Sequence, residues 1–429
     1  MENALHKTIE SSQLWFPLDN AAKIFPAIVT HNNTTVFRIS AVLRNPVKIS
    51  SLFKVVSRLE DRFPYYRVRL KRGLFWFYLE HAPLKFPVLK DEGTPCRRFS
   101  NKGLLMRILV AENRLSVEFS HIVTDGGGAF EFFKSLLILY SQECGKNFPA
   151  DCTYMKPGEE ISEDEFEDSY NRYFREHLPR IIKRPKAYHI PWGINPDSAF
   201  NVNFFMIPIN EIKDISAAKG VSITDFMVSA YLYVLQEIFN EEKSVPRYKH
   251  LRVQVPINLR KAFPSVTMRN FSLFVLPELD LRLGNYSFDE ILKTVYHQIQ
   301  LETDKKLINK NIARNVGPER KIYVKSIPLF IKSLILRIKY YTLGASQYSG
   351  VITNLGKVNL PKGMEEIISY MYCIPPPPNR VLKINCGLIG FGENLVFTFG
   401  NITRSKKLSE KMTRFLISQN ITLKPINPF

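Results

Sequence analysis

The chain has 429 residues, of which 45% are hydrophobic, and its formal net charge is +19 at pH 7. This length and apolar content provide for a sizeable core and favour two domains over one, so disorder is not the expected state. The charge favours phosphates, acidic proteins or an anionic bilayer as partners. Nucleic acid is not expected, because the basic residues are scattered among acids, without a basic helix or an aromatic RNA-binding signature.

The cysteines and the N-terminal residues predict a cytoplasmic protein. The first residues lack the charged-then-apolar order of a secretion signal, and no window of about 18 to 20 residues is free of charge, which argues against a membrane span. The five cysteines show neither zinc-ligand spacing nor a compact disulfide framework, so we expect reduced thiols and no metal site. They are Cys96, Cys144, Cys152, Cys373 and Cys386.

The first half of the chain alternates helices and hairpins. Apolar residues at helical spacing predict a helix over residues 52–63, which ends before Pro64. Three glycines at 126–128 break the strand before them, and apolar residues from Phe130 to Tyr140 mark one face of a second helix, which ends near Gly145. Runs of apolar residues separated by short polar turns predict two hairpins. Their strands are residues 66–70 with 73–79, and residues 104–110 with 115–121.

A change of composition marks the middle of the chain. Residues 159–168 are acidic, with Ser162 as a candidate helix cap, and residues 179–191 are basic, proline-containing and non-periodic. We therefore predict an N-terminal subdomain over residues 1–180, a linker over 181–195 and a C-terminal subdomain over 196–429.

The second half again mixes strands and helices. The strand-like segments are residues 201–207, 251–256, 271–277, 350–354, 381–391 and 394–399. The helical segments are residues 209–219, 225–239 with Thr224 as its cap, 288–307 and 328–341. Pro375–Pro378 is expected to be a stiff surface loop.

His121 ends the second predicted hairpin, where a general base could lie. The imidazole shares its side of the strand with three apolar residues, whereas Glu118 and Ser120 point the other way. The glycines just beyond it let a substrate approach closely, so His121 can lie at the floor of a tunnel. From spacing alone, a histidine that is simply a satisfied core residue is the commoner case. The apolar residues on its side are Leu115, Val117 and Phe119.

Asp125 lies four residues after His121, beyond a turn. An imidazole with an unperturbed pKa near 6.5 can take a proton from a hydroxyl or amine near neutral pH. We expect the Asp125 carboxylate to hold the loop in shape by pairing with an arginine, rather than to contact the imidazole.

The segment Ser120–Gly126, with the sequence SHIVTDG, resembles the HHxxxDG signature of the CoA-dependent acyltransferase superfamily. That superfamily includes chloramphenicol acetyltransferase and the condensation domains of peptide synthetases. The resemblance implies that His121 is the catalytic base and that Asp125 and Gly126 are the aspartate and glycine of the signature. Ser120 replaces its first histidine. The implied fold is α/β, with two chloramphenicol-acetyltransferase-like sandwich subdomains, mixed sheets flanked by helices, and the active site in a tunnel between them.

Four further segments resemble motifs of this superfamily, in the same order along the chain. They are most similar to its bacterial alcohol acetyltransferase-like and polyketide-associated branches, and the plant-branch motif DFGWG is absent. The segments are FPYYRVR at 63–69, KGVSITD at 219–225, VPINLR at 255–260 and TNLGKV at 353–358.

The resemblance also suggests roles for three residues of the second half. Arg260 is expected to pair with Asp125 across the two subdomains, although it could instead be a solvated surface residue. Thr353 and Asn354 are candidates to stabilise a tetrahedral oxyanion, or they only cap the end of a strand. Other arginines that could pair with Asp125 are Arg67, Arg69 and Arg107.

The implied reaction is transfer of an acyl group, with acetyl as the first expectation, from a CoA thioester to a hydroxyl or amine. The acceptor would attack the thioester directly, since no Gly-x-Ser-x-Gly elbow or His-Glu-x-x-His helix is present. Acyl-CoA would be a co-substrate, so no permanently bound cofactor is expected, and the residues that bind CoA are not identified. We expect a monomer.

Two alternatives remain for the function. A condensation-type enzyme would use the same base but take its acyl group from an acyl carrier protein. A catalytically silent binding protein would keep only the fold, and the replacement by Ser120 is compatible with that.

Basic and apolar residues also alternate along the predicted helix 328–341. Lys325, Lys332 and Lys339 recur every seven residues beside apolar ones, a pattern that could contact an anionic membrane or a hydrophobic acceptor. The ordinary interpretation is a helix that packs its apolar side inward and solvates its lysines.

Overall fold

The computed structural model describes residues 15–149, 152–179, 184–196, 200–242 and 246–429. The strands, in chain order, are β1 Trp15–Pro17, β2 Val36–Leu43, β3 Val68–Arg72, β4 Phe77–His81, β5 Val88–Lys90, β6 Met106–Ala111, β7 Arg114–Ser120, β8 Asn201–Pro208, β9 His250–Asn258, β10 Ser272–Val275, β11 Glu278–Asp280, β12 Gly350–Lys357, β13 Ile368–Ile374, β14 Ile384–Phe391, β15 Asn394–Asn401 and β16 Lys424–Ile426. The helices are α1 Phe25–Ile28, α2 Ile49–Arg62, α3 Gly126–Glu143, α4 Ser169–Arg172, α5 Ile209–Ala218, α6 Ile223–Asn240, α7 Phe288–Glu302, α8 Lys305–Arg320, α9 Ile322–Lys325, α10 Leu329–Lys339 and α11 Lys407–Ser418.

The strands form two large sheets and one small one. The five-stranded sheet has the order β13-β2-β7-β6-β5, and the eight-stranded sheet has the order β10-β9-β12-β14-β15-β8-β16, with β11 also paired to β9. Both are mixed, because β5 runs parallel to β6 and β12 runs parallel to β9 and β14. The third sheet has the order β1-β4-β3. The predicted α/β class, with mixed sheets flanked by helices, is confirmed.

Each large sheet has its own apolar core, and the two sheets meet at β13. Helices α2 and α3 pack on the five-stranded sheet, and α6, α7 and α11 pack on the eight-stranded sheet. Strand β13 pairs with β2 and also contacts β14 and β15. The first sheet thus contains a strand from the second half of the chain, and the subdomain limits at residues 180 and 196 stay a prediction. In the described part of the chain, no helix is long and apolar enough to cross a membrane.

Strand β7 is buried on both faces. Val117 and Phe119 lie in the core shared with α3, on the side predicted from their parity. Glu118 points the other way, as expected, and is fully buried there. Its carboxylate accepts hydrogen bonds from Arg38 Nε and Arg107 Nε, both at 2.7 Å. A buried carboxylate requires such partners. The side chains of Arg38 and Arg107 therefore stabilise Glu118 on the second buried face of the strand that leads to His121.

Two predicted helix boundaries are wrong because of local capping. Helix α6 begins at Ile223, and its cap is Ser222 rather than Thr224, since Ser222 Oγ accepts from Asp225 N and the Asp225 carboxylate accepts from Ser222 N. The helix predicted over 288–307 is two helices, α7 and α8. They separate because the Asp304 carboxylate caps α8, accepting from Lys306 N at 2.8 Å.

The prediction that Pro375–Pro378 forms a surface loop is also wrong, because this segment is mostly buried. Proline has no backbone N–H, so a run of prolines can be buried with fewer unsatisfied donors than other residues. Strands β2 and β13, which pair with each other in the five-stranded sheet, were not among the predicted elements. Strand β2 is buried at every position, yet from Phe37 to Ala41 its residues alternate between apolar and polar, a pattern that indicates a strand.

Candidate active site

A cavity of about 730 Å³ lies between elements of the two large sheets. Its volume is typical of small-molecule sites, which range from about 300 to 1,000 Å³. All six residues singled out from the sequence line it, although they come from the end of β7, the start of α3, the end of β9 and the middle of β12. They are His121, Asp125, Gly126, Arg260, Thr353 and Asn354.

The His121 ring lies between two aromatic rings. Its centroid is 5.3 Å from that of Phe25 in α1 and 4.5 Å from that of Phe37 in β2. The backbone N–H of His121 donates to the Thr35 carbonyl at 3.0 Å, and its carbonyl accepts from the Asn270 amide at 2.9 Å. The ring and the backbone of His121 are therefore both held in place.

The surroundings of the imidazole favour its neutral form. Burial lowers the pKa of His121 below its ordinary value of 6.5. The Asp125 carboxylate, the Asn270 amide and the Thr124 backbone act in the opposite direction, but they only partly offset the burial. At neutral pH the imidazole is uncharged, which is the state in which it can accept a proton.

Asp125 joins the His121 loop, the start of α3 and the segment after β9. Its Oδ1 accepts from the backbone N–H groups of Gly127 and Gly128 at 3.0 Å each, and Oδ2 accepts from Phe271 N at 2.8 Å. Arg260 donates to both oxygens at 3.0 Å, so the predicted pair is present and bidentate. Burial alone would raise the pKa of Asp125, but the Arg260 guanidinium holds it below 3.8. With five donors around it, this carboxylate has no free position for the imidazole, which supports an anchoring role.

Arg260 is fixed as firmly as its partner. Its Nε donates to the Thr267 carbonyl at 2.9 Å and its Nη2 to the Arg269 carbonyl at 2.6 Å. The other three arginines weighed as partners do not contact Asp125 in the described residues. Arg107 bonds Glu118, Arg67 donates to the Leu84 carbonyl, and Arg69 lies in β3.

The three glycines at the start of α3 allow close packing on the loop before β10. A Cβ at Gly128 would lie closer than 3.0 Å to both Met268 O and Thr124 Oγ1. At Gly126 it would lie 2.7 Å from the Leu355 side chain of β12. The glycines therefore let the helix N-terminus and the two sheets converge at the cavity.

Gly128→Ala is expected to lower the free energy of unfolding by about 1 to 3 kcal/mol, because the added methyl overpacks a fully buried junction. The matched control is Gly317→Ala in α8, where the new Cβ would meet only a Phe174 ring carbon at 3.8 Å. That control should change the free energy of unfolding by no more than about 1 kcal/mol, because Pro318 restricts the residue before it and so opposes the gain in helix propensity. Chemical denaturation measures both variants, and an unchanged midpoint for Gly128→Ala would contradict this packing.

The two oxyanion candidates, Thr353 and Asn354, differ in whether their side chains already form hydrogen bonds within the protein. The Asn354 amide donates to Thr224 Oγ1 at 2.9 Å, and its carbonyl oxygen accepts from Gly356 N at 2.8 Å, so this side chain is occupied in holding β12 to α6. The Thr353 hydroxyl makes no hydrogen bond to any residue that the structure describes. Of the two, Thr353 is the one with a hydroxyl available to a bound ligand.

Sequence reasoning missed Asn270 and Asp19. Asn270 Nδ2 donates to the His121 carbonyl and to Asp19 Oδ2, the latter at 3.0 Å. Asp19 Oδ1 accepts from Ala22 N at 2.7 Å, just before the segment that carries Phe25. Burial raises the pKa of Asp19 to about 6, although the nearby Arg269 opposes this. No local pattern indicates these residues, since each acts on parts of the chain that are distant in sequence.

The cations that line the cavity are already paired. Arg38 bonds Glu118 and Asp91, Arg62 bonds Glu165, and Arg260 bonds Asp125. Within the described ranges, the lining therefore offers no unpaired cation for the phosphates of CoA, and the residues that would bind them remain unassigned. The same ranges contain no cluster of three or more His, Cys, Asp or Glu side chains arranged for a metal ion.

No protein-family model matches the chain, and no curated protein matches it in sequence. Solved structures do match over nearly the whole chain. TRI101 of F. sporotrichioides, solved with coenzyme A and T-2, has a TM-score of 0.60 at 11% identity and covers 96% of this chain and 100% of its own. Polyketide synthase associated protein 5 from Mycobacterium tuberculosis has a TM-score of 0.59 at 11% identity, with 94% and 98% covered.

A wax ester synthase/diacylglycerol acyltransferase from Marinobacter aquaeolei VT8 is a third similar structure, with a TM-score of 0.54 at 13% identity over 94% of this chain and 100% of its own. Condensation domains of peptide synthetases also match. The chain has the two-subdomain fold shared by condensation domains and CoA-dependent acyltransferases, as the resemblance of the SHIVTDG segment implied. At these identities the likeness concerns the fold.

Proposed function

We propose that this protein transfers an acyl group from an acyl-CoA thioester to a hydroxyl or amine acceptor, with His121 as the general base. The observation that carries the proposal is a half-buried imidazole with a lowered pKa in the wall of a cavity, on a loop that the Asp125–Arg260 pair holds in place. Acetyl remains the first expectation for the acyl group and an alcohol for the acceptor. A cytoplasmic location also stays a prediction.

The reaction needs one base and one donor from the chain. His121 takes the proton from the acceptor hydroxyl while that oxygen attacks the thioester carbon, which forms the new C–O bond. The Thr353 hydroxyl is the donor that we assign to the resulting oxyanion. When the C–S bond breaks, the imidazolium returns the proton to the departing thiolate, which leaves as free CoA thiol. Asp125 keeps its charge throughout, because Arg260 and three backbone donors hold it ionised.

The test is thiol release from acyl-CoAs of several chain lengths, measured with a panel of alcohols and amines, with mass spectrometry of the acylated product. We expect release that depends on both the donor and the acceptor. The matched control presents the same acyl groups as thioesters on an acyl carrier protein. Turnover from the carrier alone would favour the condensation-type alternative. No acceptor-dependent product from either donor would favour the silent binding protein and contradict the proposal.

A further inference from the structure

Helix α10 exposes its apolar side and buries one of its lysines. Phe330 has 65% of its surface exposed, whereas Lys332 is only 3% exposed. The Lys332 ammonium lies 3.7 Å from the centroid of the Trp76 ring and donates to the Phe75 carbonyl at 3.0 Å. The expectation that this helix packs its apolar side inward is therefore wrong, and of the three lysines Lys332 is buried whereas Lys325 and Lys339 are exposed as expected. The apolar side chains left exposed on α10 are Phe330, Ile331, Leu334, Ile335 and Ile338.

The apolar surface continues beyond α10. Lys332 also donates to the Lys325 carbonyl at 3.3 Å, so α9 lies beside α10 and brings exposed Ile322 and Tyr323 to the same region. The turn between β3 and β4 adds Leu74, whose carbonyl accepts from Leu329 N at 2.9 Å. We call this surface, formed by α9, α10 and that turn, the α9–α10 face. An apolar surface of this extent is uncommon on a monomer and marks an interaction site.

The charged residues of α9 and α10, and of the segment that follows them, are all basic. No Asp or Glu occurs from Arg320 to Met364. Five cations with exposed side chains lie on or beside the two helices. A helix with an apolar side and flanking cations is suited to lie in the interface of a bilayer, with its apolar side among the acyl chains and its cations at anionic headgroups. The cations are Arg320, Lys321, Lys325, Arg337 and Lys339.

We propose that the α9–α10 face docks on an anionic lipid surface. An acidic protein with an apolar centre to its interface is the alternative occupant, and the vesicle experiment below distinguishes it from a lipid surface. Here the centre is a set of aliphatic and aromatic side chains, and the cations at its margin are on long, flexible stems. Fluid acyl chains beneath anionic headgroups match both parts of the face.

The face lies close to the site. Helix α10 packs against α1, where Arg337 Nε donates to the Ala27 carbonyl at 2.8 Å, and Phe25 of α1 stacks on the His121 ring. Docking would bring the bilayer within one helix of the imidazole. An apolar alcohol dissolved in the bilayer is the acceptor class that this placement favours, a step that rests on the proposed function.

Vesicle co-sedimentation of the full chain tests the docking. We expect binding to phosphatidylcholine vesicles that contain phosphatidylglycerol, and binding weaker by on the order of tenfold without the anionic lipid or at high salt. The double variant Phe330→Ser/Leu334→Ser should lose this binding but keep its thermal unfolding midpoint, since both side chains are exposed. The matched control is Leu89→Ser/Ile417→Ser, which alters two exposed apolar residues elsewhere and should bind as the wild type does.

Three results would overturn the proposal: no vesicle binding by the wild type, equal binding by the double variant, or lipid-free self-association that the double variant abolishes. Activity then separates docking from chemistry. The double variant should lose turnover of a long-chain alcohol in vesicles and keep turnover of a short, soluble one. If the wild type turns over neither alcohol, the proposed function fails, while the sedimentation result still decides the docking.

Discussion

Replacement of His121 by alanine is expected to lower kcat for acyl transfer by about 10²- to 10⁴-fold, the usual contribution of a positioned general base. KM for acyl-CoA should change little, because the imidazole acts on the acceptor proton rather than on the donor. Steady-state thiol release measures both constants. The matched control is His297→Ala, which removes an exposed histidine from α7 and should leave the rate unchanged. Full turnover by His121→Ala would rule out this mechanism.

The pH dependence of kcat/KM in the wild type is an independent test of His121 as the base. The neutral imidazole is the active form, and burial lowers its pKa below 6.5. We expect kcat/KM to stay level from neutral pH down to about 6.5 and to fall only as the pH drops through that lowered pKa. A rate that already falls above pH 7 would indicate a different base.

The second large effect is expected at the Asp125–Arg260 pair. Asp125→Ala or Arg260→Ala should each lower the free energy of unfolding by about 3 to 5 kcal/mol, because each leaves the other charge buried and unpaired. The double variant should cost clearly less than the sum of the two singles. Both singles should also slow acyl transfer, since the loop that carries His121 loses its anchor. Chemical denaturation at neutral pH and a double-mutant cycle measure the coupling.

An exposed ion pair provides the comparison. Lys54 is 69% exposed and pairs with Glu143 at 3.0 Å. Alanine at either position should change stability by no more than about 1 kcal/mol. The pKa of Asp125 is below 3.8, so its stabilising contribution is complete at neutral pH. That contribution is lost only as the pH falls through the lowered pKa, and the measurements should therefore be made at one fixed neutral pH. Additive costs at Asp125 and Arg260 would show that they are not coupled.

The parts of the site that were predictable are those with a local sequence pattern. Strand parity predicted the direction of His121, and the glycines after it predicted a close approach, which Gly128 makes to Met268 O. The Asp125–Arg260 pair came from resemblance rather than from spacing, since the two residues lie in different halves of the chain. Their geometry agrees with that prediction, while the catalytic roles of the site residues stay predictions.

The contacts that were not predictable depend on tertiary structure. Asn270 reaches the His121 carbonyl, and Phe25 stacks on its ring, from segments with no distinguishing composition. Lys332 is buried only because Trp76 and two carbonyls from other elements surround its ammonium. Helical periodicity shows that a helix has two sides, but it does not decide which side faces the protein.

The pairing of β13 with β2 has a consequence for how the chain folds. Strand β2 lies near the beginning of the chain and β13 near its end, so the five-stranded sheet cannot be completed during synthesis until most of the polypeptide has emerged. Until then β2 has an unpaired edge that could recruit another chain. The N-terminal half would therefore be expected to aggregate if expressed alone, and the two halves should not be exchangeable between relatives as independent modules.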